Sequence, residues 1–194
     1  KPGARALLPG PLYHSAPNSF GLRAGRLGGA LVLMPRFDPE EFLKTIERFK
    51  VTAVMVVPTM FIRLLALPDE VRNRYDLSSL RMVLHAAAPC PIPVKQAMIE
   101  WLGPIIEEFY SGSEGIGHAT LNSEEWLAHV GSVGRAVIGT IHICDDEGNE
   151  LPVGETGTIY FSGTKPVTYH NDPAKTASAR NPQHADWSTM GDVG

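Results

Sequence analysis

Cysteine is almost missing from this chain: Cys90 and Cys144 are the only two in 194 residues, and they lie far apart. That scarcity excludes a disulfide framework. Without a CxxC or paired Cys/His spacing it also excludes a structural zinc module, and it suits a reducing, cytoplasmic compartment. Long hydrophobic runs are lacking too. The longest, such as Ala53–Val57, fall far short of the roughly 20 apolar residues a membrane-spanning helix needs, and no secretory leader pattern opens the chain. No integral membrane segment is therefore expected. Nor is there an excess of positive charge: 17 Lys and Arg stand against 21 Asp and Glu, a formal charge of −4. Nothing basic is available to draw in nucleic acid or an anionic lipid surface, so neither is expected as a partner. What remains is 43% hydrophobic and 20% charged residues, the composition of a globular chain with enough length for a core in one or two domains.

The two ends read as cuts. The chain opens at Lys1 without a methionine and reaches Ala6-Leu7-Leu8 at once; it stops at Met190-Gly191-Asp192-Val193-Gly194, which has the texture of a site rather than a tail. A piece of something longer is expected.

Between the ends, short apolar runs alternate with helical patterns. Leu31–Met34 is continuous and apolar, as a strand buried on both faces would be. Asp38-Pro39-Glu40-Glu41 supplies an N-cap, a proline at the first helical position and a carboxylate three residues after the cap; Phe42, Leu43, Ile46 and Phe49 then fall on one face. Ala53–Val57 is a second strand, Met60–Leu67 a helix and Arg81–Leu84 a third strand. From Pro93 the positions Val94, Ala97, Met98, Trp101 and Leu102 repeat with helical spacing until Gly103-Pro104 stops them, and Ile105–Tyr110 is the next strand. This rhythm predicts an α/β fold with a mainly parallel, helix-covered sheet over residues 1–128. Across 129–194 glycines multiply, Thr140–Cys144 and Thr158–Phe161 are β-rich, and Asp145–Asn149 is a hairpin-turn signal. A smaller antiparallel, barrel-like segment is expected there.

In such folds sites form where strand C-termini meet the following loops. Three loops qualify: Pro11–His14, His85–Pro89 and Tyr110–Gly115. In the second, Ala86, Ala87 and Ala88 have side chains too small to hide their backbone, so a flat ring could lie against it. The third, Tyr110-Ser111-Gly112-Ser113-Glu114-Gly115, offers an aromatic face, hydroxyl donors and a hard oxygen ligand at one turn. That set suits a nucleotide.

Taken in order, these segments resemble the adenylate-forming acyl-CoA synthetases of the AMP-binding superfamily. Pro11-Leu12-Tyr13-His14 is similar to that family's Pro-x-aromatic-His segment, and His85–Pro89 to its small-residue adenine loop. Tyr110-Ser111-Gly112-Ser113-Glu114 resembles its Tyr-Gly-x-Thr-Glu motif with serine for glycine and serine for threonine. Gly131–Arg135 and Asp146–Gly148 with Leu151–Glu155 resemble its linking segments, and Tyr169–Pro173 with Thr176 the approach to its last motif. Trp187-Ser188-Thr189-Met190-Gly191-Asp192 resembles Trp-x-x-Thr-Gly-Asp with methionine in the threonine position. The family's upstream phosphate loop and its C-terminal lid domain with the catalytic lysine have no counterpart here. The resemblance therefore implies a fragment of the large N-terminal domain.

The activity so implied is ligation of a carboxylic acid, a fatty acid for preference, to coenzyme A through an acyl-adenylate, with ATP, Mg2+ and coenzyme A as the small molecules. Glu114 would be the metal ligand and, with Ser113 at the α-phosphate, part of the catalytic set. His14 would stand near the acyl channel. Ala86, Ala87, Ala88, Pro89, Tyr110, Ser111 and Gly112 would hold the nucleotide, Tyr110 by stacking on adenine, and Asp192 would accept the ribose hydroxyls. Two other readings compete. A serine hydrolase would use Ser113, but its nucleophile elbow wants glycine at position 111. An inert nucleotide- or acyl-binding module would need no catalytic residue. A dinucleotide-binding oxidoreductase is disfavoured, because Gly25–Gly29 does not supply G-x-G-x-x-G.

Overall fold

The structure, a computed structural model, describes residues 3–194. Its secondary elements are β1 (Arg5–Leu8), α1 (Ser15–Arg26), β2 (Ala30–Leu33), α2 (Pro39–Phe49), β3 (Ala53–Val56), α3 (Pro58–Leu65), α4 (Asp69–Arg72), β4 (Met82–His85), α5 (Ile92–Leu102), β5 (Ile106–Tyr110), β6 (His118–Asn122), α6 (Ser123–Ala128), β7 (Arg135–Ile138), β8 (Thr140–Cys144), β9 (Thr158–Ser162), α7 (Pro173–Ser178) and β10 (Ser188–Val193). The strands of the larger sheet follow the order β2-β1-β3-β4-β5-β6-β7; a separate sheet has the order β10-β9-β8. The pairings of β1 with β2, β1 with β3, β3 with β4 and β4 with β5 are parallel, and β6 with β7 is antiparallel. The fold is thus the mainly parallel α/β sheet with a smaller antiparallel sheet that the sequence rhythm predicts.

Local chemistry explains several of these elements. The Asp38 carboxylate accepts from the backbone N–H groups of Glu40 and Glu41, with proline in the first turn, and α2 then buries Phe42, Leu43 and Ile46. At the start of α6, Asn122 and Glu125 form a reciprocal capping box. In α5 the buried positions are Lys95, Met98 and Ile99, so the inward stripe includes a lysine that helical periodicity does not select.

The chain divides into two compact units. One comprises the chain up to Phe109 together with Leu121–Ser132; the other comprises Tyr110–Thr120 and Val133–Gly194. The segment 110–120, which lies inside the expected 1–128 subdomain, groups with the downstream residues. The physical reason is its glycines, discussed below.

In the first unit one core runs from Leu7, Phe42, Ile46 and Val54 through Phe61, Val83, Met98 and Ile106 to Trp126. The strand β1 connects outward to β2 on one side and its other neighbour is β3. The order therefore reverses beside β1, at the topological switch point of an open parallel sheet. One expectation is corrected here. The strand β2 is not buried on both faces: it is the edge of the sheet, with Leu31 44% and Leu33 54% exposed. An unbroken apolar run has the same appearance at an edge as at a centre, because periodicity carries no information about the neighbouring strand.

In the second unit Ile116, Ile159, Phe161, Val167 and Ala179 form the core, with Tyr110, Tyr169 and Met190 packed against it. The Asp145–Asn149 turn exists, closed by Asp145 N–H to the Asn149 carbonyl at 3.0 Å, with Gly148 at φ 88°. It closes onto an isolated bridge between Cys144 and Glu150 rather than directly onto β9. Among the described residues no helix is long and apolar enough to cross a membrane.

Candidate functional site

Tyr110 ends β5, and the chain then doubles back through a tight loop. The Ser111 hydroxyl donates to the Gly117 carbonyl at 2.7 Å, and the Gly115 N–H reaches the Gly112 carbonyl at 3.2 Å with Gly115 at φ 66°. The loop is pinned to the second unit by the absence of two side chains. A Cβ at Gly117 would overlap the Phe161 ring, and a Cβ at Gly112 would strike the Met190 sulfur and come within 2.6 Å of Glu114 Oε2. These glycines let Phe161, Met190 and Glu114 lie directly on the backbone of the loop. Thr164 adds a hydroxyl donated to the Ile116 carbonyl at 2.5 Å.

Tyr110 is half-buried. Its ring stacks on Phe161 with centroids 6.0 Å apart and an interplanar angle of 24°, so one aromatic face is already covered. Its hydroxyl donates to Asp192 Oδ2 at 2.7 Å, across 82 residues of sequence. Burial first, and then the hydrogen bond to Asp192, push the Tyr110 phenol well above the ordinary tyrosine range. The hydroxyl is therefore a permanent donor at neutral pH. Asp192 reaches this position because β10 breaks register with β9 between Thr189 and Val193, and Gly191 takes φ 88°. Such an irregularity re-aims a side chain out of the ladder, and the aspartate is exposed.

Glu114 is held by a second phenol: Tyr169 donates to its Oε1 at 3.1 Å. Burial and then this bond raise the Tyr169 phenol above its ordinary value. Tyr169 is itself fixed on both sides, its N–H donating to Thr176 Oγ1 at 2.9 Å and its ring lying under the Lys175 ammonium at 4.1 Å. Ser113, between these anchors, is exposed. The structure thus brings Tyr110, Gly112, Glu114 and Asp192 into one cluster with Met190. Ser111 belongs to it as a brace, its hydroxyl proton committed to the loop.

The remaining expected residues belong to the first unit. His14 is exposed at the N-terminus of α1, following the Pro11–His14 turn, and makes no side-chain capping bond. Ala86–Pro89 leave the C-terminal end of β4; Ala86 is buried, and Ala87, Ala88 and Pro89 are exposed. Ala87 takes φ 78°, a left-handed conformation that a non-glycine residue adopts only when its surroundings impose it. Because β1 and β4 are both parallel to β3, the two loops leave the same edge of the sheet.

Two participants escaped sequence reasoning. Tyr169 lies in a segment legible only as the approach to the last motif, and Phe161 is an ordinary strand aromatic; no local pattern marks either as a partner of the loop. Among the described residues no group of three or more His, Cys, Asp or Glu could hold a metal ion.

The sequence matches the family described as AMP-binding enzyme over residues 1–168. The putative acyl-CoA synthetase YngI of Bacillus subtilis is 33% identical over 97% of this chain and 35% of its own length. The medium/long-chain-fatty-acid–CoA ligase FadD8 of Mycobacterium tuberculosis is 32% identical over 82% of this chain and 28% of its own. Among solved structures, o-succinylbenzoate coenzyme A synthetase of Bacillus subtilis in complex with AMP superimposes with a TM-score of 0.80 at 28% identity, covering 98% of this chain and 38% of that one. The chain spans about a third of the length of these proteins.

Proposed function

The chain belongs to the AMP-binding enzyme family, and from that premise we propose that it is the nucleotide-cluster segment of a longer AMP-forming acid–thiol ligase. The enzyme activates a carboxylic acid, of the fatty class, as an acyl-adenylate and transfers the acyl group to coenzyme A. The observation that carries this reading is the 2.7 Å hydrogen bond between Tyr110 and Asp192. It puts an aromatic ring, suited to a base, beside a carboxylate, suited to sugar hydroxyls.

In this reading the uncovered face of Tyr110 stacks on adenine. Asp192 accepts from the ribose. Ser113 donates its hydroxyl to the α-phosphate, where charge develops as the carboxylate attacks in line. Glu114 is the protein ligand for Mg2+, which when bound supplies relief of phosphate charge. Tyr169 holds the Glu114 carboxylate in one orientation. Methionine at position 190 donates no hydrogen bond, so Met190 acts by packing on Gly112. Two free cysteines fit a reducing, cytoplasmic setting. The fatty class is favoured by the FadD8 likeness, and o-succinylbenzoate synthetase is the competing example.

The test is carboxylate-dependent exchange of labelled pyrophosphate into ATP by the full-length gene product, with a series of fatty and aryl acids. Exchange supports the ligase. Its absence with every acid, together with covalent labelling of Ser113 by a fluorophosphonate, would replace the ligase with a hydrolase. The 194 residues alone are expected to give no acyl-CoA.

A further inference from the structure

Beneath the Ala86–Pro89 loop lies a buried charged cluster to which the adenylation chemistry gives no part. Lys95 of α5 is 1% exposed, and its ammonium donates to Glu108 Oε2 of β5, itself buried. The same ammonium stands over the Trp126 ring at 5.0 Å. His85, the last residue of β4, is completely buried; its Nε2 is 3.6 Å from that Glu108 oxygen, beyond hydrogen-bond reach, and neither ring nitrogen has a hydrogen-bond partner. Its ring packs edge-on against Phe61 at 5.3 Å.

None of this favours stability. A buried ion pair roughly breaks even against well-packed apolar side chains, and an unsatisfied buried imidazole costs free energy outright. The cluster's location is what distinguishes it. His85 and Glu108 face each other as the last paired residues of β4 and β5. The next residues along β4 are Ala86 and then Ala87, held in its left-handed conformation. A loop under strain relaxes unless its root is immobile.

We propose that Lys95, Glu108 and His85 form a polar clamp that immobilises the root of the Ala86–Pro89 loop, making Lys95 a positioning residue for the nucleotide. The proposal rests on the adenylation reading for its consequence, though not for its geometry. Lys95 ties helix to strand through a single carboxylate, which in turn faces the imidazole. The His85 ring, confined by contact with that carboxylate and with Phe61 rather than by a hydrogen bond, keeps the end of β4 from rotating, and Ala87 keeps its left-handed turn.

The decisive variant is Lys95→Met with Glu108→Leu in the full-length protein, which replaces the pair by apolar side chains. A purely structural pair predicts that everything recovers with stability. A clamp predicts a thermal midpoint at or above wild type, yet amide hydrogen exchange of 86–88 accelerated roughly tenfold, the factor corresponding to release of one strained residue. The KM for ATP in pyrophosphate exchange should rise by a similar factor with kcat little changed. Wild-type protection of 86–88 in the folded double variant would overturn the clamp. If wild type catalyses no exchange with any acid, the adenylation reading fails, and the hydrogen-exchange comparison still decides the clamp. Should the double variant not fold, His85→Phe, which keeps the packing on Phe61, is read by the same two measurements.

Discussion

The pairing of Tyr110 with Asp192 is open to a thermodynamic test that needs no substrate. Both residues belong to the second unit, and the bond is short, at 2.7 Å, with a carboxylate as acceptor. A hydrogen bond to a charged group contributes about 1.5–3 kcal/mol net when dry, but Asp192 is exposed, and solvent competition reduces this to about 1 kcal/mol. Tyr110→Phe removes the donor while keeping the stack on Phe161; Asp192→Asn keeps the shape and removes the charge. A double-mutant cycle on these, read by chemical denaturation at pH 7, should return a coupling of about 1 kcal/mol. The same bond has a pH signature. The folded Tyr110 phenol is raised by burial and by Asp192, so its stabilisation is complete below the ordinary tyrosine value and is lost as pH rises from about 10 upward. Asp192→Asn should let the phenol ionise at lower pH, read by absorbance at 295 nm, though not at the ordinary tyrosine value, because burial persists. A coupling indistinguishable from zero, with an unmoved phenol titration, would refute the claim that these two side chains form one unit.

Glu114→Gln should slow pyrophosphate exchange most at limiting magnesium; an unchanged rate there would remove Glu114 from the mechanism. Gly117→Ala drives a methyl group into the Phe161 ring and should destabilise the fold by about 3 kcal/mol, the upper range for overpacking; a thermal midpoint equal to wild type would contradict the close approach. His85 is pushed down to about 3 by burial and then by Lys95, with Glu108 and Cys90 as the other ionisable groups near the cluster. A lowered folded value means stability is present above the ordinary histidine value and lost as pH falls, by up to about 1.4 kcal/mol per pH unit below 6.5. His85→Phe should flatten that acid slope, and an unchanged slope would show that His85 does not carry it.

Much of the architecture was legible in the residues because the signals are local. Asp38-Pro39 starts α2 through bonds reaching two and three residues ahead, and Gly103 stops α5 at the expected place with φ 81°. The antiparallel texture after position 129 follows from strand propensity and glycine turns. Less accessible was anything set by neighbours distant in sequence. The edge exposure of Leu31 and Leu33 depends on β2 having a partner on only one side. The inward lysine of α5 depends on a carboxylate arriving on β5. Of the nucleotide cluster, the motif positions Tyr110, Glu114 and Asp192 could be named from the letters, but Tyr169 could not, since its hydrogen bond to Glu114 spans 55 residues.

The order of amino acids alone therefore determined the chemistry on offer and the segments that present it: capped helices, short apolar strands, and a loop carrying ring, hydroxyl and carboxylate. Only the folded chain decided which of those groups meet. Capping, periodicity and turn preference act across a few bonds, whereas the meeting of Tyr110 with Asp192 was decided by a bulge in β10 and by glycines that leave room for Phe161 and Met190, packing relations that no stretch of sequence contains by itself.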